Sequence, residues 1–397
     1  MRFKKVFVFI FFFWGIFGFC QQMELSALSK VSLLTVGTAD ELHSKFGHSA
    51  IRIVDPTIGM DLVYNYGMFD FDDPNFYVKF TRGKLDYRIA KETYPHFIRT
   101  YEYENRWVKE QVLNLSDTDK KALFLFLENN LLPENRYYKY DFLFDNCATR
   151  IPDALQKAAG NKLVYGEDHL KEHYTFRELI HQNLEVNSWS NFGIDLALGS
   201  VIDKEATAYQ HMFLPLYVFE QLKNTTLDNK PLVNSERELL AERPVAKNSN
   251  FFTAPLFWLS VILLVVIVVT YLGYKNQRRN RWLDFILFFA TGIAGTLILF
   301  LWFGTDHQAT KINFNALWAF APNLVVAFVL LKKQLPKWLK TYLALLLALL
   351  GAVPLLWIFK IQVFSPLIVF ILVSLLIRYL FLLRLAKTEN SGHLATS

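Results

Sequence analysis

One cysteine in this sequence stands in a context that could make it a nucleophile. Cys147 lies between an aromatic run, 140–144, and a segment of helical composition, 154–159. A helix N-terminus stabilises a thiolate through its free N–H groups and its dipole, and the same N–H groups can hold an oxyanion. Pro152 fits only the first turn of a helix, so we expect the helix to begin after Cys147. These residues alone leave a buried structural cysteine and a nucleophile equally open.

A nucleophilic thiol needs a base, and the best candidate is a histidine upstream in the chain. His48 follows Gly47 at the start of residues 48–54, which have the alternating pattern of a strand. A lone histidine on a strand is more often a structural residue, and His48 gains its interest from Cys147. The two residue types together are typical of a Cys–His nucleophile pair.

The group that orients the histidine would come from the neighbouring strand. Residues 61–66 have strand composition and follow the turn-rich residues 55–59, so we expect a hairpin. Asn65 would then lie opposite or nearly opposite His48, where its amide could orient the imidazole. Asp61 is a second candidate for the same role.

These side chains must be positioned by a folded domain, which we place at residues 23–223. Residues 30–36 and 106–115 have strand composition. Ser116 is followed by an acid three residues on and then by an apolar run, which is typical of a helix N-terminus. The domain is therefore expected to be α+β. Residues 224–250 are polar, and we expect them to form a linker.

The first 22 residues are typical of a secretory signal peptide. Three basic residues precede the apolar run 6–19, which is too short to cross a bilayer comfortably. Cleavage before Gln21 would leave Cys147 as the one cysteine of an exported domain, and an uncleaved signal anchor is the alternative. A single thiol in an oxidising compartment is either buried and inert or kept for its reactivity.

Five apolar stretches follow, and each is near the length that crosses a bilayer. The loops on one side of these stretches hold ten Lys/Arg residues and those on the other side hold two. This bias predicts that the C-terminus lies in the cytoplasm and the N-terminal domain outside it. Arg378, inside the fifth stretch, would reach the cytoplasmic face or a lipid headgroup. The transmembrane domain is expected at 251–397, with spans at 255–273, 285–303, 314–331, 341–359 and 363–383.

The charge distribution argues against a nucleic-acid partner. The formal net charge of +6 is not spread along the chain. Residues 23–250 carry 26 Lys/Arg against 33 Asp/Glu, whereas residues 251–397 carry 13 against three. The excess positive charge therefore reports membrane topology. Two cysteines also exclude a disulfide-stapled domain.

A histidine cluster is the one pattern that could indicate a metal. His169 and His173 have the i, i+4 spacing of a helix, and His181 lies nearby. The sequence has no HExxH pattern and no cysteine partner there, which favours a solvated helix face. We expect no metal and no cofactor.

The order of these residues resembles two known arrangements. Gly47-His48-Ser49-Ala50, followed much later by Asn146-Cys147, is similar to the circularly permuted papain-like arrangement of NlpC-like peptidases and lecithin:retinol acyltransferase-like enzymes. More closely, the chain resembles a Bacteroidota membrane-protein family assigned as lipoprotein N-acyltransferases of the Lnb type, with an exported domain and five spans. The stretches that carry this resemblance are 46–53, 63–67, 75–86, 140–150, 193–203, 213–215, 305–307 and 313–322.

The resemblance implies a permuted papain-like α+β domain, an all-α five-helix transmembrane domain, and acyl transfer through a thioester. Cys147 would attack an ester of a membrane phospholipid or other diacyl lipid, with His48 as base and Asn65 as orienting residue. The acyl group would pass to the N-terminal amine of a diacylglyceryl lipoprotein. Four further residues are expected to contact the substrate: Asn146, Arg150, Asp306 and His307.

Two other functions fit the same residues. An NlpC-like cysteine peptidase or amidase acting on cell-wall peptides would use the same pair, although a single membrane anchor would suffice for it. A non-enzymatic polytopic sensor or transport component would need neither residue. Replacement of Cys147 separates these classes, because both enzymes require the thiol and the sensor does not.

Overall fold

The protein, seen in a computed structural model, has a sheet-and-helix N-terminal domain followed by a helical domain. The expected signal peptide, 1–22, lies outside the described part of the chain, and so does His169 of the histidine cluster. The described residues are 24–41, 44–166, 170, 172–244 and 250–394.

Seven antiparallel strands form the main sheet, and three shorter segments form a second one. The described strands are β1 (Lys30–Val36), β2 (His48–Asp55), β3 (Met60–Met68), β4 (Asp86–Thr93), β5 (Val108–Leu113), β6 (Tyr137–Lys139), β7 (Leu163–Tyr165), β8 (Thr225–Leu227), β9 (Lys230–Pro231) and β10 (Val233–Leu240). The main sheet has the order β10-β5-β1-β2-β3-β4-β6, and the second has the order β7-β8-β9. The predicted hairpin is confirmed as the antiparallel pair β2 and β3.

Helices cover both faces of the main sheet. One face packs against α3, α4 and α8 through Leu123, Ile151 and Val218, and the other packs against Phe97 of α2. The predicted cap is confirmed, because Ser116 Oγ accepts a hydrogen bond from the Asp119 N–H at 3.2 Å. The helices of this domain are α1 (Phe76–Thr81), α2 (Tyr94–Tyr103), α3 (Asp117–Leu131), α4 (Arg150–Ala159), α5 (Phe176–His181), α6 (Trp189–Ala197), α7 (Ala208–His211) and α8 (Pro215–Lys223).

The polar segment 224–250 is not simply the linker that we expected. Val233–Leu240 is an edge strand of the main sheet and pairs with β5. Its polar side chains are mostly exposed, as suits a strand that is paired on one side only. A linker and a solvated edge strand have similar compositions, which explains the difference. The N-terminal domain therefore extends to Leu240.

Four described helices are long and apolar enough to cross a membrane, and the expected third span is not one of them. Residues 314–331 form a 3-10 turn, Phe314–Leu317, and a seven-residue helix. Asn323 interrupts the apolar stretch, and its buried amide donates to Thr291 Oγ1 at 3.1 Å. The helices are α9 (Pro255–Lys275), α10 (Arg281–Phe303), the short α11 (Asn323–Val329), α12 (Leu339–Ile358) and α13 (Ile368–Leu394).

The interrupted third segment nevertheless connects the two ends of the helical domain. At one end, Asn315 Nδ2 donates to the backbone carbonyl of Asp195 in α6 at 2.9 Å. At the other end, Arg279 Nη1 donates to the Leu330 carbonyl at 2.7 Å. The segment thus runs alongside α10 between the same two ends, without forming a continuous helix.

Backbone contacts fix the N-terminal domain onto the helical domain. The Gly199 N–H donates to the Ala309 carbonyl, and the Ser200 N–H donates to the Ile312 carbonyl, each at 2.9 Å. A Cβ atom at Gly199 would lie 1.9 Å from the Lys311 carbonyl oxygen, so only glycine permits this approach. The close packing defines one orientation of the two domains.

Arg378 lies in a fully buried ion pair, which the sequence did not predict. Its Nε donates to Asp284 Oδ1 at 2.5 Å, and its Nη1 donates to Thr270 Oγ1 at 3.1 Å. Asp284 also accepts a hydrogen bond from Arg279 at 3.3 Å. The pair links α9, α10 and α13 inside the helical domain.

Removal of the Asp284 carboxylate should destabilise the protein strongly. We expect Asp284→Ala to lower the free energy of unfolding by about 3–5 kcal/mol, because Arg378 is left as an uncompensated buried charge. Unfolding of the purified full chain in detergent measures the loss. The matched control is Asp306→Ala, since Asp306 is 64% exposed and lies 4.0 Å from Lys84. Equal stability of the two variants would contradict the buried pair.

Candidate active site

A hydrogen bond joins His48 to Asn65 across the β2–β3 hairpin. His48 Nε2 lies 3.0 Å from Asn65 Oδ1. The strand register places Asn65 opposite Ala50, two residues beyond His48. Side chains two positions apart share a face, so the imidazole and the amide meet diagonally on one side of the sheet.

Glu92 fixes the direction of this hydrogen bond. Asn65 Nδ2 donates to Glu92 Oε1 at 2.8 Å, and Glu92 Oε2 bonds to His96 Nδ1. A carboxylate only accepts, so the amide oxygen of Asn65 must face His48. His48 Nε2 is therefore the protonated nitrogen, and Nδ1 carries the lone pair that a general base needs.

Asp61, the second candidate for the orienting role, does not contact His48. Its carboxylate accepts two hydrogen bonds from Arg52, at 2.8 and 2.7 Å. Arg52 also pairs with Glu110 at 3.1 Å. The structure thus brings Asn65 to His48 and commits Asp61 to an ion-pair cluster elsewhere on the sheet.

Cys147 lies in the turn before α4, close to the first residues of β2. The helix begins at Arg150, and Pro152 occupies its first turn as expected. The backbone N–H of Ser49, the residue after His48, lies close enough to the Cys147 sulfur to lower the pKa of the thiol. Gly67 is packed against the thiol, since a Cβ there would lie 3.2 Å from Cys147 Cβ.

In the described residues, no hydrogen bond joins the Cys147 thiol to the His48 imidazole. Both lie at the same end of the sheet, His48 on β2 and Cys147 beside Ser49. Catalytic hydrogen bonds are often long before substrate binds and tighten in the reactive complex. The lack of a direct hydrogen bond is therefore compatible with the expected Cys–His pair.

Burial sets the protonation states of both groups. Desolvation lowers the pKa of His48 to about 4, although the bond to Asn65 opposes this shift. Desolvation raises the pKa of the Cys147 thiol, while the N–H groups of Ser49, Cys147 and Ala148 oppose that shift. At neutral pH the resting state is a neutral thiol beside a neutral imidazole.

Arg106 is a residue of this site that sequence analysis missed. It is buried, and it donates through Nε to the Gly37 carbonyl at 2.8 Å and through Nη1 to Glu104 at 2.9 Å. Its Nη2 has no hydrogen-bond partner within the described chain. Its positive charge lowers the pKa of both His48 and Cys147. Arg106 comes near His48 and Cys147 only because β5 pairs with β1, so no local sequence pattern identifies it as part of the site.

Asn146 has a structural role rather than the expected contact with substrate. Its Nδ2 donates to the carbonyls of Phe142 and Phe213, at 2.7 and 2.9 Å. Its Oδ1 accepts from the N–H groups of Ala148 and Thr149, at 2.7 and 3.0 Å. Both N–H groups and the oxygen of the Asn146 amide are hydrogen-bonded, so this side chain stabilises the turn that contains Cys147.

Arg150 is likewise engaged within the protein. Its guanidinium binds both carboxylate oxygens of Asp145, with Nη2 at 2.7 Å from Oδ2. It also lies over the ring of Tyr138, 4.1 Å from the centroid. Arg150 therefore ties α4 to the preceding turn and to β6.

Asp306 and His307 contact the N-terminal domain rather than an open substrate pocket. The Asp306 N–H donates to the Arg82 carbonyl at 3.0 Å. His307 Nε2 donates to the carbonyls of Phe80 and Thr81, at 3.2 Å each. These two residues join the loop after α10 to the end of α1.

The remaining histidines of the cluster are held by carboxylates on separate elements. His173 lies 3.2 Å from Glu205, and His181 Nε2 lies 2.8 Å from Asp195. In the part of the chain that the structure describes, no three His, Cys, Asp or Glu side chains converge on a metal position.

Both domains match models of one protein family. Residues 19–182 match the model described as the Lnb N-terminal periplasmic domain, and residues 246–390 match the Lnb transmembrane domain. His48, Asn65 and Cys147 all lie within the first match. No curated protein and no solved structure matches the chain.

The pH dependence of thiol labelling should report the neutral resting pair. Because its pKa is raised and His48 stays neutral, Cys147 should react with iodoacetamide faster by about tenfold for each pH unit between about pH 6 and pH 9. Peptide mass spectrometry of the labelled full chain gives the rate, and Cys147→Ala gives the background. A rate independent of pH over this range would instead indicate a preformed thiolate–imidazolium pair.

Removal of the Glu92 carboxylate should weaken the ability of His48 to accept a proton, without unfolding the domain. In Glu92→Leu the Asn65 amide can rotate and offer its NH₂ group to Nε2, which favours the tautomer that carries the proton on Nδ1. We expect slower acylation of Cys147 and an unchanged unfolding temperature. Glu92→Gln is the matched control, because its amide oxygen can still accept from Asn65. Equal rates for Glu92→Leu and wild type would contradict the positioning role.

Proposed function

Because the chain belongs to the Lnb family, we propose that it is a lipoprotein N-acyltransferase with Cys147 as its nucleophile. The proposal rests on one observation above all. The backbone of Ser49, the residue that follows His48, lies close to the Cys147 sulfur, and His48 is bonded to Asn65 at the same end of the sheet. Its N-terminal domain is then a permuted papain-like enzyme domain, in which histidine precedes cysteine.

The strand registers support this orientation of the sheet. Val36 pairs with both His48 and Val108, and Val108 pairs with Leu240. The His48 end of β2 therefore lies level with the end of β10, from which the chain continues into α9. The loop after β3 lies at the same end and contacts His307. A lipid ester at the membrane surface would face this end.

The first half of the proposed reaction forms a thioester. His48 Nδ1 takes the thiol proton as the Cys147 sulfur attacks the ester carbonyl of a phospholipid. The carbon–oxygen bond of the ester breaks, and the leaving alkoxide takes the proton from His48. The products are an acyl-Cys147 thioester and a lysophospholipid. Backbone N–H groups at the start of α4 and the charge of Arg106 would stabilise the oxyanion.

The second half transfers the acyl group to the lipoprotein. The N-terminal amine of a diacylglyceryl cysteine attacks the thioester and forms an amide. His48 accepts the proton from the amine and returns it to the Cys147 sulfur, which regenerates the free thiol. Desolvation of both half-buried groups supports this chemistry, because water would otherwise compete with the amine for the thioester.

The proposed location is the bacterial inner membrane. The N-terminal domain would face the periplasm, and the C-terminus would lie in the cytoplasm with most of the Lys/Arg-rich loops. The short α11 segment would complete the fifth passage through the bilayer. In this topology the acyl donor and the lipoprotein acceptor both reach the thiol from the outer leaflet.

Mass spectrometry of native lipoproteins tests the proposed reaction. N-terminal lipopeptides are compared among cells with the wild-type protein, cells without it, and cells with Cys147→Ser. We expect the N-linked acyl mass to be absent in both altered strains. Its persistence in the deletion strain, without a redundant enzyme, would contradict N-acylation and favour a peptidase or a binding protein.

Replacement of the base should lower the rate without removing the nucleophile. We expect His48→Ala to slow N-acylation by about 10²–10⁴-fold, the range that general base catalysis contributes. Single-turnover assays in proteoliposomes measure the rate, and Asp61→Asn serves as a control on the same sheet. An unchanged rate in His48→Ala would show that His48 is not the base for Cys147.

A further inference from the structure

We propose that the segment 68–82, which includes α1, lies in the lipid–water interface and leads an acyl chain of the donor phospholipid to Cys147. The lipid-binding surface consists of the exposed side chains Phe71, Tyr77, Val78 and Phe80. Its role as the donor route rests on the proposed acyl transfer, whereas its position in the interface does not.

Contacts with the helical domain place this surface at the level of the membrane. The carbonyls of Phe80, Thr81 and Arg82 accept hydrogen bonds from Asp306 and His307. These two residues follow closely on Phe303, the last residue of the α10 membrane span. The end of α1 is therefore fixed only a few residues from the point where a span leaves the bilayer.

The exposed side chains are those that prefer a membrane interface. Tyr77 is 78% exposed, Phe71 67%, Val78 58% and Phe80 51%. Such an apolar cluster is unfavourable in water but suits the headgroup region, where aromatic rings are enriched. The cluster continues directly from the domain contact at Phe80, so the adjoining lipid surface is the occupant that the geometry favours.

A row of aromatic rings connects this surface to the thiol. Phe80 stacks on the buried Phe76 with centroids 6.1 Å apart, and Phe76 lies 5.8 Å from Phe69. Phe69 lies 5.3 Å from Tyr87, whose ring stacks on Tyr140 at 4.2 Å. The row forms a continuous path of apolar contacts from the exposed surface to Tyr140.

The inner end of the row reaches the nucleophile. Burial raises the pKa of Tyr140, and a thiolate on Cys147 would raise it further. Gly67, at the start of the connection that leads to α1, packs directly on Cys147. An acyl chain lying against the rings would bring its ester carbonyl to the sulfur.

Spin labelling tests the position in the interface independently of enzyme activity. Single cysteines replace Tyr77 or Phe80 in full-length Cys20→Ser/Cys147→Ala protein, which is reconstituted in phosphatidylethanolamine–phosphatidylglycerol vesicles. Leu264→Cys, on the exposed face of α9, is the bilayer reference. Ile58→Cys is the aqueous control, because Ile58 is 48% exposed in the β2–β3 turn at the far end of the sheet.

Collision rates of the nitroxide give the result. We expect labels at 77 and 80 to collide more with oxygen than with a water-soluble nickel chelate, as at Leu264. Collision rates like those at Ile58 would overturn the proposal. Shielding of both labels from both reagents would also overturn it and indicate a protein partner on this surface.

A kinetic comparison tests the route to the thiol. In Tyr77→Ser/Phe80→Ser we expect the rate of Cys147 acylation by phospholipid vesicles to fall roughly tenfold, which corresponds to about 1.4 kcal/mol. The rate with a water-soluble short-chain thioester should be the same as in wild type. Equal losses with both donors would overturn the route. If N-acylation does not depend on Cys147, the proposed function is refuted. This outcome is independent of the spin-label result.

Discussion

Desolvation of the half-buried Cys147 thiol is the constraint on which the proposed chemistry depends. A desolvated thiol has a raised pKa and holds its proton at neutral pH, so it becomes a nucleophile only if a base takes that proton. His48 is suited to this task because burial keeps it neutral and Asn65 leaves Nδ1 unprotonated. The same exclusion of water that weakens the free thiol protects a thioester from hydrolysis. In the proposed reaction, the site therefore makes the free thiol less nucleophilic and favours the amine over water as the acyl acceptor.

Contacts between the two domains determine which end of the sheet lies near the helical domain. Close backbone contact at Gly199 and the contact of His307 with α1 hold the N-terminal domain on the helical domain. The strand ends that carry His48 and the Cys147 region lie toward the helical domain as a result. An enzyme for soluble peptides would need no such alignment. A chain that takes acyl groups from a bilayer requires it.

Local patterns predicted what depends on local sequence. The β2–β3 hairpin, the cap at Ser116 and the four long apolar helices all follow from composition and spacing. The composition of residues 224–250 predicted a linker rather than the edge strand β10, because the exposed side chains of this strand are polar. Arg106 and the full use of the Asn146 amide depend on distant backbone groups, which a single sequence does not reveal. The third apolar stretch is interrupted because Asn323 satisfies its amide on another helix.

Detection of an acyl thioester on Cys147 tests the central claim most directly. The full-length protein is purified from membranes depleted of lipoprotein acceptor, and the peptide that contains Cys147 is analysed by mass spectrometry with and without hydroxylamine. A fatty acyl mass on Cys147 that hydroxylamine removes, and that is absent in His48→Ala, is the predicted result. An unmodified Cys147 in protein that still supports N-acylation would contradict it.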